Sequence, residues 1–345
     1  MPNVVYENKL IENKLAEMLA TRIDINNYLT PDYSLAEAPG MIKEVHVYKA
    51  TGSVEDLAQG VGNTGTIVAA YASRQYVVGV TQGKGQYFDE EAMKDPFVVD
   101  TLLKGMADII TNDYTAKAIA EFGKATMSVE CDFSTATAGY LFGKIVDALA
   151  LFGENEDNLF LLINPKNVAY ARKQLGDSLQ YSGDFARTGY IGSIAGVPIV
   201  VSNAVPASAA YIARKDAVTA FIKKGVEVEQ DRDPDVRRND LYIRQVAVIA
   251  LTDASKVAAI AKAQSTACAI TTYTKNAKTI AGTCGADCFL VHVVDGDGIE
   301  YDVVPTSGSW TMTAEANLTA GDKINATAYA VGYAAKAATE VTVAS

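Results

Sequence analysis

The chain has 345 residues, of which 49% are hydrophobic and 21% are charged, and its formal net charge is −11. This balance provides enough apolar surface for a sizeable core and argues against global disorder. The negative charge argues against a nucleic-acid-binding groove, because such a groove needs a basic surface that displaces counterions from phosphate.

The first 40 residues are predicted to form an arm. Apolar residues at helical spacing indicate a short amphipathic helix at residues 10–19, and Thr30-Pro31-Asp32 and Ala38-Pro39-Gly40 are turn signals. The helix could pack on its own domain or lie over a neighbouring subunit, and the sequence leaves both options open. The segment carries charges throughout and lacks the apolar centre of a secretory signal, so we expect a cytoplasmic location during synthesis.

Residues 41–88 are predicted to form two strands joined by a glycine-rich segment. Ile42–Tyr48 alternates between polar and apolar residues, and Gln75–Thr81 is rich in β-branched and aromatic residues. Little apolar sequence lies between the two strands. The pair is therefore expected to project as a long hairpin.

Residues 95–122 give the clearest helix prediction. Pro96 lies near its start, where the missing N–H costs nothing, and Gly123 follows its end. At 1.5 Å per residue the helix would be roughly 40 Å long, which suits a strut. Its predicted apolar stripe consists of Val99, Leu102, Leu103, Met106, Ile109 and Ile110.

A compact α/β region is predicted next. A helix over 136–152 can be capped by Ser134 or Thr135 and stopped by Gly153, and Asn164 can cap a further helix that ends at Gly176. A polar loop is expected over 177–189. The predicted strands of this region, of which the first two are expected to be buried, are 158–163, 197–202, 211–212 and 217–222.

Two alternating segments, 226–230 and 241–251, are predicted to pair antiparallel. The charged residues 231–238 between them form a solvated loop or an ion-pair patch between subunits. From residue 265 onwards the chain is rich in Thr, Ala and Val, with short alternating segments separated by turn signals. That spacing predicts a small β-sandwich of immunoglobulin type over 265–345.

Three glycine-rich or acidic motifs invite a chemical interpretation. Gly60–Gly65 spells a dinucleotide fingerprint, but that motif needs a strand before it and a helix after it, so a hinge or hairpin tip is favoured. Lys84 between two glycines lacks the remainder of a phosphate-binding loop and is expected in a solvated turn. Asp295-Gly296-Asp297-Gly298 could bind Ca²⁺, but a hairpin turn is favoured because the EF-hand glutamate is missing.

Residues that commonly carry chemistry are scarce. A histidine-dependent site would have to use His46 or His292, the only two histidines. A disulfide between Cys284 and Cys288 would require a turn through Gly285. The alternative is a disulfide to another cysteine such as Cys268. Free thiols are expected. We therefore assign no catalytic, cofactor-binding or metal-ligating residues and expect no enzyme activity. The sequence contains no run of 18 apolar residues, so no membrane span is predicted.

Two segments resemble a known family. Gly189–Ser202, which reads GYIGSIAGVPIVVS, is similar to the G-x-x-x-G-v-P-v-v-v-s strand entry of tailed-bacteriophage major capsid proteins with the Hong Kong 97 fold. Val226–Asp233, followed by Arg237 and Asp240, resembles the last strands of that family's peripheral domain. The order of arm, long hairpin, strut helix and α/β region matches as well, over about three-quarters of the chain.

The resemblance implies an α+β capsid fold with a C-terminal immunoglobulin-like β-sandwich. The implied parts are an N-terminal arm (1–40), an extended loop (41–88), a peripheral domain with the spine helix (89–135), an axial domain (136–222), return strands of the peripheral domain (223–264) and an immunoglobulin-like surface domain (265–345).

The implied function is structural. Such a subunit self-assembles into pentamers and hexamers of an icosahedral head that encloses double-stranded DNA without sequence-specific binding. Scaffolding, portal and decoration proteins are the implied partners, no membrane is involved, and assembly in the bacterial cytoplasm places the protein in the virion. The alternatives are an encapsulin-type nanocompartment shell, which encloses enzymes, and a surface adhesin-like module.

Overall fold

The computed structural model describes residues 24–36, 42–51, 56–57, 59–62, 68–95, 97–133, 140–154, 157–171, 193–262, 268–297, 299–314, 316–338 and 340–344. The predicted helix at 10–19 and the predicted loop at 177–189 lie outside these residues. The chain divides into two compact units. The first consists of Met1–Tyr114 and Val218–Asp253, and the second of Thr115–Ala217 and Ala254–Ser345.

Four α-helices are described, together with short 3-10 helices at Asp24–Tyr28 and Ala254–Lys256. The α-helices are α1 (Asp89–Lys94), α2 (Phe97–Phe122), α3 (Tyr140–Ala150) and α4, of which residues 165–171 are described. The strands are β1 (Thr30–Asp32), β2 (Ile42–Thr51), β3 (Val68–Val77), β4 (Gly79–Phe88), β5 (Met127–Glu130), β6 (Leu159–Ile163), β7 (Ser193–Ile194), β8 (Val197–Val201), β9 (Ala209–Arg214), β10 (Val218–Asp233), β11 (Arg238–Leu251), β12 (Val257–Ala261), β13 (Ala269–Tyr273), β14 (Thr279–Thr283), β15 (Cys288–Val294), β16 (Glu300–Val303), β17 (Ser309–Thr313), β18 (Lys323–Ala330), β19 (Lys336–Ala337) and β20 (Val341–Thr342).

The first unit contains a four-stranded sheet in the order β1-β10-β11-β4. β10 and β4 both pair antiparallel with β11, whereas β1 pairs parallel with β10. The N-terminal part of α2 packs on this sheet, because side chains from both form one buried cluster. Its members are Tyr87, Val99, Leu103, Met106, Ala107, Ile110, Val228, Leu241 and Ile243.

The predicted helix over 95–122 is confirmed, and its N-terminus is capped by Asp95, whose carboxylate accepts a hydrogen bond from the Phe97 N–H at 2.9 Å. The predicted stripe is wrong at Ile109, whose side chain is 68% exposed. Val99, Leu103 and Ile110 lie on one helical face at spacings of four and seven residues, and Ile109 is rotated about 100° from Ile110.

Gly85 allows α2 to approach β4 closely. A Cβ at this position would lie 2.6 Å from the Met106 sulfur and 3.1 Å from a Leu102 methyl. Strand residues alternate between the two faces of a sheet, so Gly85 and Lys84 point in opposite directions. Helix packing therefore explains Gly85, and a Cβ at Gly83 would lie 3.1 Å from an Ile243 methyl on the neighbouring strand.

β10 and β11 form one hairpin of 16 and 14 residues. The predicted pairing of 226–230 with 241–251 is confirmed, but the predicted separation of 217–222 from 226–230 is wrong. Pairing with β11 continues past two irregularities, one between Ile222 and Lys224 and one between Lys224 and Glu227. A β-bulge adds an unpaired residue without ending the ladder, which is why both segments belong to one strand.

The second unit contains a six-stranded sheet in the order β5-β12-β9-β6-β8-β7. All five residues of β6 are buried, and so are all five of β12. One face carries α3 and α4, since Leu141, Ile145 and Val168 share a cluster with alternate strand residues. On the other face, Phe122 at the end of α2 contacts Phe160 edge-to-face at 5.8 Å.

The local signals at Asn164 and Gly153 are confirmed, whereas Ser134, Thr135 and Gly176 lie outside the described residues. Asn164 caps α4 by accepting a hydrogen bond from the Lys166 N–H at 3.0 Å, and its amide donates to the Val205 carbonyl at 2.6 Å. Gly153, with φ of +60°, follows α3 as predicted. The expectation that the strand at 197–202 is buried is wrong for its C-terminal end, because Val201 is 51% exposed.

The tail forms two sheets around one apolar cluster. β13, β14 and β17 form one sheet, and β16, β15, β18 and β19 form the other, with β20 paired to β18. Trp310, which is 2% exposed, lies opposite Gly282, where a Cβ would overlap its indole ring. The predicted sandwich architecture is therefore present.

The two units differ from the predicted division of the body. β5 and β12, in segments predicted for the peripheral domain, belong to the six-stranded sheet of the second unit. β10 begins at Val218, inside the segment predicted as axial, but belongs to the first unit. Strand partners far apart in sequence set these bounds, so composition along the chain does not mark them.

Candidate assembly surfaces

The β2–β3 hairpin is a two-stranded ribbon. The strands pair over ten positions, from Ile42 opposite Val77 to Thr51 opposite Val68, so a hairpin is present as predicted. The predicted second strand, Gln75–Thr81, is wrong in its bounds, because it is divided between the end of β3 and the start of β4, and β4 pairs with β11. Neither strand pairs with a third among the residues described. At the base of the ribbon, Ile42 is 60% and Val77 is 71% exposed. A two-stranded hairpin is at best marginally stable alone in water.

The glycine-rich segment belongs to this hairpin. Gly60, with φ of +88°, and Gly62 lie in the connection between β2 and β3, and the remainder of the motif lies outside the described residues. β3 follows where the dinucleotide fingerprint requires a helix. The interpretation as a hairpin connection therefore fits the strand pairing.

Ion pairs within the chain surround the turn of the β10–β11 hairpin. The Asp89 carboxylate at the start of α1 accepts hydrogen bonds from the Arg232 guanidinium at 2.8 Å and from the Asn239 amide at 2.5 Å. Arg237 pairs with Glu90 at 3.0 Å. The Arg232 hydrogen bond is the main reason that the pKa of Asp89 lies below its usual value. Part of the predicted charge patch therefore ties the hairpin to α1.

Lys84 is not in a turn as predicted, because it lies in the middle of β4. Its ammonium donates to Asp240 at 2.9 Å and lies 5.3 Å from the ring centroid of Tyr242. The hydrogen bond with Lys84 holds the pKa of Asp240 below its usual value and raises that of Lys84. Lys84 therefore links β4 to β11.

Large apolar side chains are exposed on the helices of the first unit. Met93 in α1 is 74% exposed, Phe97 at the start of α2 is 71% exposed, and Ile109 further along α2 is 68% exposed. Single exposed apolar residues are common in monomers. They lie on the same unit as the exposed Ile42 and Val77 of the β2–β3 ribbon.

The tail is attached to the six-stranded sheet by backbone contacts of residues 331–335. The Ala334 N–H donates to the Lys262 carbonyl at 3.0 Å, and the Ala335 N–H donates to the Ser128 hydroxyl at 2.9 Å. Gly123 leaves room for Val331, whose methyl would lie 2.8 Å from a Cβ there. No side-chain pattern in the sequence predicts this contact, since the donor in both hydrogen bonds is a backbone N–H group.

Two tail motifs are structural. Asp295 is 4% exposed, and its carboxylate accepts hydrogen bonds from the Asp297 and Ile299 N–H groups at 3.1 and 2.9 Å and from the Tyr301 hydroxyl at 3.0 Å. This is an Asx turn that closes the β15–β16 hairpin, as the favoured interpretation predicts. His292 lies 3.0 Å from Asp302 across the same pair of strands. The side chain of His46 lies outside the described residues.

Other features of the described residues can be stated briefly. No group of three or more His, Cys, Asp or Glu side chains is arranged to hold a metal ion there. No helix among these residues is both long enough and apolar enough to cross a membrane. An open cleft of about 460 Å³ in the second unit is lined by two aromatic side chains, Phe133 and Tyr170, and by Lys166 and Lys262 among others.

The phage capsid protein family matches residues 73–262, which is more than half of the chain. The chain therefore belongs to the phage capsid protein family. The matched segment ends at Lys262, just before the predicted start of the tail at residue 265. No curated protein matches the sequence significantly.

Solved capsid structures share the fold at low sequence identity. The capsid of a native GTA particle has a TM-score of 0.58 at 13% identity and covers 70% of this chain and 90% of that chain. The capsid of cyanophage P-SCSP1u has a TM-score of 0.55 at 14% identity, covering 70% and 88%. A virus-like particle from Pyrococcus furiosus has a TM-score of 0.53 at 11% identity, covering 74% and 100%. The prediction of a tailed-phage major capsid protein with the Hong Kong 97 fold is confirmed.

Proposed function

We propose that the chain is the repeating subunit of an icosahedral phage head, which assembles through pentamers and hexamers and encloses double-stranded DNA. The observation that carries this proposal is the β2–β3 ribbon, which has ten paired positions and no third strand among the described residues. A ribbon of this kind gains stability when another surface covers it. A neighbouring copy in a closed ring supplies such a surface in every subunit alike.

The parts implied by the resemblance fit this role. Residues 1–40 would be the arm, β2–β3 the extended loop, the first unit mainly the peripheral domain and the six-stranded sheet mainly the axial domain. Scaffolding, portal and decoration proteins would be the partners during assembly in the host cytoplasm. The role is structural, and we propose no catalytic activity.

The tail would be an immunoglobulin-like domain on the outer surface. Its first, second and fifth strands share one sheet, and its third, sixth and seventh strands share the other, as in immunoglobulin domains. Its fourth strand, β16, pairs with the third strand, which differs from the constant-domain pattern. The contacts of residues 331–335 would hold the domain at a fixed position on each subunit.

The test exploits the register of the ribbon. Because Ile42 lies directly opposite Val77, replacing residues 43–76 by Asn-Gly joins the two strands at their base through a two-residue turn. We expect a folded subunit that no longer forms shells in negative-stain images. Hydrogen exchange of β10 and β11 should be unchanged, which shows that folding was not lost.

A matched control uses the same turn at the other end. Thr51 lies opposite Val68, so replacing residues 52–67 by Asn-Gly keeps all ten pairs. This control should still form shells. Normal shells from the variant that lacks 43–76 would contradict the role given to the ribbon.

A nanocompartment shell of encapsulin type is the second candidate. It is favoured by the open cleft at Phe133 and Tyr170, which could accept a cargo peptide, and by the similarity of the fold to that of a virus-like particle from Pyrococcus furiosus. The content of shells purified from infected cells separates the two candidates. Double-stranded DNA supports the phage head, and a protein cargo without DNA supports the compartment.

A further inference from the structure

Three of the four cysteines lie in the tail, at one end of its core. Cys268 and Cys284 are 4% and 5% exposed, and Cys288 is half-buried. Cys268 precedes β13 and Cys284 follows β14, and these two strands pair antiparallel. All three side chains belong to the tail's apolar cluster or pack against it, and none of the three is in a disulfide bond.

A turn brings two of these thiols together. The Cys288 N–H donates to the Gly285 carbonyl at 3.1 Å, and the Cys284 N–H donates to the Gly308 carbonyl at 2.9 Å. The neighbouring Cys288 thiol adds to the effect of burial in raising the pKa of Cys284. Residues four apart in an extended strand would be separated by about 13 Å, so the turn through Gly285 is what makes this proximity possible.

We propose that Cys284 and Cys288 form an intramolecular disulfide once the protein leaves the reducing cytoplasm and meets a low-molecular-weight disulfide as oxidant. The bond would connect the end of β14 in one sheet to the start of β15 in the other. It would therefore pin the crossing between the two sheets in particles outside the cell, where disulfides persist.

The reaction begins at Cys288, which is the most exposed of the three sulfurs. Its thiolate attacks the oxidant, forming a mixed disulfide and releasing one small thiol. Cys284 then loses its proton to solvent and attacks the Cys288 sulfur, which releases the second small thiol. Two protein thiols lose two electrons and two protons in total, and the small disulfide is reduced to two thiols.

Burial decides the order of these steps. It raises the pKa of Cys284 to about 12, assisted by the neighbouring Cys288 thiol, and it raises the pKa of Cys268 to about 11. Both buried thiols are therefore protonated at neutral pH and poor first nucleophiles. For Cys268, an interaction with the Ala328 backbone offsets part of this rise in pKa.

Peptide mapping tests the proposal directly. Trypsin leaves Cys284 and Cys288 together in the peptide Thr279–Lys323, whereas Cys268 falls in the peptide Ala263–Lys275. The folded full-length protein is incubated with oxidised glutathione at pH 8 and digested after the remaining thiols are blocked. We expect the peptide Thr279–Lys323 to lose two hydrogens and to remain separate from the peptide Ala263–Lys275.

Thermal unfolding provides the second measurement. Oxidation should raise the melting temperature of the tail in the wild type and in Cys268→Ala, but not in Cys288→Ser. A cross-link between the two peptides would assign the bond to Cys268 and overturn the proposal. Stable glutathionylation of Cys288 without ring closure, or no modification of the folded chain while the urea-unfolded chain reacts, would also overturn it.

Discussion

The two long hairpins of the first unit are both antiparallel, but only one of them is packed against other strands and a helix. β10–β11 is flanked by β1 and β4 and covered by α2, whereas β2–β3 has no third strand among the described residues. The first hairpin is stabilised within its own chain by Leu241, Ile243 and the residues packed on them. The second presents an exposed apolar pair at its base. The difference supports the proposal that β2–β3 serves contacts with other subunits, whereas β10–β11 stabilises the fold of its own subunit.

The largest expected effect is on the free energy of unfolding, and it should differ between a core residue under the β10–β11 hairpin and a residue of the β2–β3 ribbon. Leu103 is 1% exposed in the cluster between α2 and the β10–β11 sheet, so Leu103→Ala should lower the free energy of unfolding by about 2–5 kcal/mol. Ile42→Ala should change the stability of the isolated subunit by less than about 0.5 kcal/mol, because Ile42 is exposed. Urea unfolding measures the stability of both variants. The yield of assembled shells should fall only partly for Leu103→Ala but clearly for Ile42→Ala. An equal loss of stability in Leu103→Ala and Ile42→Ala would contradict the distinction between the two hairpins.

The packing of α2 on β4 gives the next largest effect. Gly85→Val places methyl groups where Met106 and Leu102 already lie, and we expect a loss of about 1–3 kcal/mol. Gly79→Ala is the matched control at the other end of β4, since nothing lies within 4 Å of a Cβ there. Hydrogen exchange of peptides from β4 and β11 should increase for Gly85→Val only. Slow hydrogen exchange that is unchanged in both variants would show that α2 can move away from β4 without loss of stability.

Acid should weaken the supported hairpin through its carboxylates. The pKa values of Asp89, Glu227 and Asp240 are lowered by hydrogen bonds, chiefly from Arg232, Lys224 and Lys84 respectively. A lowered folded-state pKa contributes stability above the unfolded value near 4, and that stability is lost as the pH falls through the folded value. Hydrogen exchange of β10 and β11 should therefore accelerate below about pH 4, after correction for the intrinsic rate.

Lys84→Met identifies one source of that acid sensitivity. It removes the hydrogen bond that lowers the pKa of Asp240, so the difference in stability between pH 7 and pH 3 should become smaller than in the wild type. Lys104→Met, at an exposed lysine on α2, is the control and should leave the difference unchanged. A pH profile of Lys84→Met that matches the wild type would show that the pair contributes nothing to the hairpin.

The smallest expected effect concerns a third, short hairpin, β7–β8, whose turn residues Ala195 and Gly196 have φ values of +50° and +82°. A turn with two positive φ values favours Asn-Gly, so Ala195→Asn should raise stability by about 0.5–1 kcal/mol. Gly196→Ala should have the opposite sign, because it places a side chain at a left-handed position. Differential scanning calorimetry can resolve both. A destabilising Ala195→Asn would mean that the turn is held by contacts other than its own backbone preference.

Local signals alone determined a large part of this protein. The α2 helix lies within two residues of its predicted start, Asn164 caps α4, and the Asp-Gly segment at 295–297 forms a turn, as predicted. In each case the residues that decide the structure lie within a few positions of one another. The resemblance at Gly189–Ser202 and Val226–Asp233 likewise predicted the capsid fold, and both segments lie within residues 73–262, which match the family.

Only the tertiary structure decided which distant segments are partners. It joined two predicted strands into β10, placed Lys84 beside Asp240, left Ile109 exposed, and attached the tail to the sheet through Ala334 and Lys262. Strand pairing and backbone hydrogen bonds can be made by almost any residue, so composition and spacing carry little information about them. The turn that ends at Cys288 is of the same kind, because the four-residue spacing from Cys284 does not specify its geometry.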